Sequence, residues 1–105
     1  MTKVTYFEQN NEISISVEGH AGFGEAGSDI VCSAISMLGQ ALLAYLKVES
    51  EKFDYSMRKG SIWAYAKGDN VRTALHVIMT GYKLLEDNYP ANIEINRGCG
   101  IQTSP

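Results

Sequence analysis

From Asp29 to Glu49 the chain reads DIVCSAISMLGQALLAYLKVE, and little of it is polar. At about 100° per residue a helix here has one narrow polar stripe, made of Ser33, Ser36, Gln40 and Lys47. Such a helix lies in a core or against a second subunit. Ser28 or Asp29 is placed to cap its start.

The flanking segments supply the surface that would cover it. Ile13, Ile15 and Val17 alternate with Ser14, Ser16 and Glu18, the period of a half-buried strand. Lys3 to Glu8 pairs with it as a hairpin around Gln9-Asn10-Asn11. Phe53, Tyr55 and Met57 alternate with Asp54, Ser56 and Arg58, and Lys59-Gly60 turns the chain into a strand from Ser61 to Lys67. Asp69 or Asn70 caps a second helix to about Asp87, with Val71, Ala74, Leu75, Ile78, Tyr82 and Leu85 on its apolar side. Pro90 stops it, and Asn92 to Asn96 gives a last strand. The expected fold is α/β of the α+β type, a two-layer sandwich in the order ββαββαβ. Two helices cover one face of a mostly antiparallel or mixed sheet.

A chain of 105 residues, 45% hydrophobic and 20% charged, fits one globular domain. Residues 1–97 are expected to form it, with 98–105 as a flexible C-terminal tail in which Cys99 is a spare thiol. The net charge of -3 and the lack of any Lys/Arg run argue against direct nucleic-acid binding and are compatible with a basic peptide partner. The N-terminus is polar by its eighth residue, so no signal peptide is expected. No apolar run reads as long enough to span a bilayer, so no membrane association is expected, and the default compartment is cytoplasmic. Cys32 and Cys99 then read as two thiols, and neither lies in a C-x-x-C pair, so no metal and no cofactor are implied.

The chemistry concentrates in GHAGFGEAGSDIVCSAIS, Gly19 to Ser36. Gly22, Gly24 and Gly27 spell G-x-G-x-x-G between a strand and a helix, the local context of a phosphate loop. Glu25 inside the loop and Asp29 at the helix start oppose an anion there, and the preceding strand belongs to a hairpin rather than a βαβ unit. Alternatively, Cys32 is a nucleophile in the first turn of the helix, where unpaired N–H groups and the dipole favour a thiolate and offer an oxyanion hole. His20 would be its base, brought near by a loop that the glycines make foldable. Taken singly, a cysteine in an apolar helix is usually a small buried hydrophobe, and a histidine at a strand end usually bonds backbone. A non-catalytic peptide- or ribosome-binding module is the competing class. His76, on the wet face of the second helix, reads as a surface residue. Trp63 and Tyr65 share a sheet face that two helices cannot cover, open to a second subunit or a peptide.

Gly19-His20-Ala21, Gly24, and Gly27 followed by Asp29-Ile30-Val31-Cys32 and Ser36 resemble the ribosomal-processing cysteine protease (Prp) family. The resemblance covers under a fifth of the chain. It implies a homodimeric thiol protease that removes a short N-terminal leader from a large-subunit bacterial ribosomal protein. By position it makes Cys32 the nucleophile and His20 the base. Asp29 becomes a supporting residue that orients His20 or shapes the loop, and Ser36 a substrate contact. It also implies a leader with aromatic residues before a small residue at the cut, whose aromatics would lie near Leu43.

Overall fold

The structure is a computed structural model that describes residues 1–25 and 28–105. Its elements run β1 (Thr2–Gln9), β2 (Glu12–Glu18), α1 (Ile30–Glu49), β3 (Lys52–Arg58), β4 (Ser61–Lys67), α2 (Val71–Asn88) and β5 (Ile93–Arg97). The order ββαββαβ agrees with the sequence reading. The five strands form one mixed sheet in the order β3-β4-β2-β1-β5, antiparallel except for the β1–β5 pair. That parallel pair follows from α2, a crossover that returns the chain to the start of β1.

Register assigns the two faces. Ile13 lies opposite Ala66, Ile15 opposite Ala64 and Val17 opposite Ile62, so all six share the helix side. They join Val31, Ile35, Leu42 and Leu46 of α1 and Val71, Leu75 and Tyr82 of α2 in one core. The helices approach closely because each has a glycine at the contact. A Cβ on Gly81 would sit 2.9 Å from Leu38, and one on Gly39 would sit 2.9 Å from Ile62 and 3.1 Å from the Tyr82 hydroxyl. That hydroxyl donates to the Ile35 carbonyl at 2.9 Å, and its burial raises the phenol's pKa.

The outward side of α1 is only partly polar. Beyond the polar stripe, Ile30, Met37, Tyr45 and Val48 are exposed, Val48 at 77%. By length and composition α1 would suffice to cross a bilayer, contrary to the sequence reading, yet its inner face is buried on the sheet.

The tail also departs from expectation. Residues 98–102 strap the helix-free face of the sheet instead of trailing away. The Gly98 N–H donates to the Tyr6 carbonyl at 2.7 Å, and the Gln102 N–H donates to Ser14 Oγ at 2.9 Å. The Trp63 indole N–H donates to the Gln102 carbonyl at 3.2 Å, and Trp63 is left 2% exposed. Trp63 is thus covered by its own chain, not held open for a partner. Periodicity is blind to this cover because the tail has no regular structure. Cys99 is exposed and free, as its setting in the sequence suggested. Ending the chain after Arg97 should red-shift the emission of Trp63, the only tryptophan, and cost roughly 1–3 kcal/mol in urea unfolding. Unchanged emission would mean the strap does not shield the indole.

Candidate active site

A cleft of about 460 Å³ opens between the end of β2, the start of α1 and the β3–β4 turn. Gly19, His20, Gly22, Gly24, Asp29, Cys32, Ser33 and Ser36 line one side, and Met57 to Ile62 line the other. Described residues of the stretch singled out in the sequence therefore form one wall, and the β3–β4 turn supplies the other.

Asp29 organises the wall. As N-cap of α1 its Oδ1 accepts from the N–H groups of Val31 and Cys32, both at 2.9 Å. Its Oδ2 accepts from Phe23 at 2.9 Å and Gly24 at 3.1 Å. The hydrogen bond from the Cys32 N–H leads the causes that hold the carboxyl below the ordinary aspartate value of 3.8, and the other three donors add to it. Among the described residues no hydrogen bond joins Asp29 to His20, so its observed role is to fix the loop to the helix. The same bonds correct the expected oxyanion hole, because the donors of Val31 and Cys32 are already engaged by Asp29.

Cys32 is half-buried at the cleft floor. Its sulfur accepts from the backbone N–H of Ala21 at 3.3 Å. Among the described residues this is the hydrogen bond to Sγ, and His20 makes none. His20 lies in the same cleft over the β3–β4 turn, close enough that a Cβ on Gly60 would be 3.0 Å from Nε2. Gly60 has φ +75°, and its carbonyl accepts from the Gly19 N–H at 2.9 Å. Gly60 thus makes room for the ring that the strand end presents. Ser36 lines the cleft one turn beyond Cys32, and its Oγ accepts from Gln40 at 3.1 Å.

The glycine loop divides unevenly. Gly22 has φ +70° with open space around it. Gly24 sits above Asp29, where a Cβ would make ordinary contact at 3.7 Å. Gly27 lies outside the described residues. Gly19 was not picked as a conformational glycine, yet with φ +99° a Cβ there would meet the Met1 carbonyl at 2.6 Å. Phe23 packs edge-to-face on Tyr89 beyond α2, ring centroids 5.3 Å apart. No local pattern in the sequence marks Gly60 or Tyr89 as neighbours of the motif.

The remaining residues separate cleanly. Leu43 is buried in the core rather than open to the cleft, whose apolar lining comes from Ile35, Met57 and Ile62. The cleft's cationic side chains, Arg58 and Lys59, come from the turn, so the overall negative charge does not describe its mouth. His76 is a surface residue as expected, paired with Glu8 at 2.5 Å beside Arg72. Among the described residues no cluster of His, Cys, Asp and Glu has metal-binding geometry.

The model of the family described as cysteine protease Prp matches residues 1–94. The ribosomal processing cysteine protease Prp of Mycoplasma genitalium is 37% identical over 82 residues, covering 75% of this chain and 82% of its own. The fold resembles an essential ribosomal processing protease Prp from S. aureus, solved with a covalently linked product peptide. The TM-score is 0.83 at 24% identity, over 93% of this chain and 100% of that one. It also resembles SMU.848 from Streptococcus mutans, with a TM-score of 0.69 at 25% identity, over 92% and 93% of the two chains.

Two measurements follow from the geometry. Gly60→Ala should displace His20 and slow peptide cleavage at least tenfold, with a stability loss of about 1 kcal/mol from the positive φ. Turnover equal to wild type would show that His20 does not need this seat. Asp29 has a lowered folded-state pKa, so its stabilisation is complete above about the ordinary value of 3.8 and is lost as pH falls through the folded pKa. Asp29→Asn should therefore flatten the acid limb of a stability-versus-pH curve below that value; an acid limb identical to wild type would contradict the four-donor role.

Proposed function

The chain belongs to the cysteine protease Prp family and is a cysteine protease, and from that premise we propose that Cys32 is its nucleophile and His20 its general base. The observation that carries this reading is that one cleft holds both side chains, with a backbone N–H aimed at the sulfur. His20 takes the thiol proton of Cys32, and the resulting thiolate adds to the scissile carbonyl carbon as the π electrons move to oxygen. Collapse expels the amine, which takes its proton from His20, and leaves a thioester. Water, deprotonated by His20, then releases the acid and restores the thiol. The Ala21 N–H already faces the reacting sulfur, at 3.3 Å.

Further, we propose that the substrate is the N-terminal leader of a large-subunit ribosomal protein, cut in the cytoplasm. The relatives' names as ribosomal processing proteases support this, as does the peptide carried by the S. aureus structure. Ile35, Met57 and Ile62 give the cleft apolar contacts for the leader's side chains. The glycine loop would be displaced as the leader enters, so that remote contacts drive alignment of the pair. The protein would act as a homodimer, an arrangement supported by the exposed stripe of Ile30, Met37, Ala41, Ala44 and Val48 along α1.

Cys32→Ala should abolish cleavage of a leader peptide and leave folding nearly intact, whereas Cys99→Ala should be silent. Full activity in Cys32→Ala would end the assignment. Shortening the peptide on its aromatic side should lower kcat as well as raise KM, and casein should be nearly inert; efficient turnover of casein would sink the gating idea alone. Met37→Asp should convert a dimer to monomer by analytical ultracentrifugation, and a variant sedimenting as wild type would place the interface elsewhere.

A further inference from the structure

Ala21 is the residue through which the loop touches the nucleophile, and it is held on every side. Its methyl group is 1% exposed, within the core. Its N–H donates to Cys32 Sγ at 3.3 Å. Its carbonyl accepts from the side-chain amide of Asn92 at 2.9 Å. The adjoining peptide leads into Gly22, whose φ of +70° shows a backbone free of the usual side-chain restriction. The Asn92 amide is the partner that fixes the Ala21–Gly22 peptide, and with it the turn of the chain about the Ala21 Cα that aims the Ala21 N–H.

Asn92 is suited to this task. It is half-buried between α2 and β5, on the opposite side of the molecule's sequence from the motif. Its N–H donates to the Tyr89 carbonyl and its carbonyl accepts from the Thr2 N–H, both at 2.9 Å. With the backbone fixed at both ends, the side chain is a short arm that reaches Ala21. Only the NH₂ end of the amide can serve a carbonyl acceptor, so the contact requires a donor.

We propose that Asn92 is a positioning residue of the catalytic centre. By clamping the Ala21 carbonyl it keeps the Ala21 N–H on the Cys32 sulfur, so that the nucleophile is held in place before substrate arrives. The inference rests on Cys32 as nucleophile. Asn92 does not itself line the cleft, and its side chain reaches the catalytic centre through Ala21.

The experiment compares Asn92→Ala and the isosteric Asn92→Asp in the Cys99→Ala chain, so that iodoacetamide reports Cys32 alone. At pH 7 both variants should alkylate about three- to tenfold more slowly, the range expected for losing one hydrogen bond's worth of ordering. On a leader peptide kcat should fall by a similar factor with KM changed less than twofold. Asn92→Asp, which sets a carboxylate against the carbonyl, should lose at least as much as Asn92→Ala. Thermal melts confirm that the assay temperature lies well below unfolding for each variant. Wild-type alkylation rates in folded Asn92→Ala and Asn92→Asp would overturn the proposal, as would a loss confined to KM. The alkylation readout needs no protease assignment, so a nucleophile disproved by an active Cys32→Ala remains distinguishable from a failed role for Asn92.

Discussion

One carboxylate organises the site. Asp29 takes four backbone N–H groups, two from the loop and two from the first turn of α1. A buried carboxylate needs such donors, because desolvation without them would drive it to the neutral form. The result is that the loop after His20 and the helix bearing Cys32 share one anchor. Whatever shifts Phe23 and Gly24 also alters the field at the N–H of Cys32, so loop position and helix start are coupled through this carboxylate as well as through the Ala21–Cys32 contact.

That arrangement reverses the usual use of a helix N-terminus. Its first donors are directed to a permanent anion of the chain rather than to a substrate oxygen or a thiolate. The sulfur instead takes a donor from across the loop, the N–H of Ala21. A donor that many sites take from the helix comes here from a loop residue.

Much of this was legible in the chain. Alternation at Ile13, Ile15 and Val17 and the apolar face of α2 were local patterns, and they placed the elements within one or two residues of their observed ends. Asp29 announced itself as a cap. The departures are all non-local or irregular. Asn92 lies 71 positions from Ala21, and no periodicity links them. Gly60 reads as a turn glycine, and its proximity to His20 arises only from the pairing of β2 with β4. The oxyanion expectation treated the helix donors as free, which holds only until the cap's own carboxylate is counted. The strap escapes a reading of local pattern because its hydrogen bonds run to side chains on β2 and β4 and to a backbone carbonyl on β1.

The strap has an evolutionary corollary. The family model ends at residue 94, so the segment that covers Trp63 lies outside the matched region. A large indole on a helix-free face is tolerable in water only under a lid, and this lid offers a carbonyl to the indole and a donor to Ser14. Trp63, Ser14 and residues 98–102 thus form a single packing unit. A lineage that shortened the tail would be under pressure to replace the tryptophan, and one that lost the tryptophan would leave the tail without its anchor. The strap and the residue in the middle of β4 should drift together, although the two are separated by an entire helix and strand.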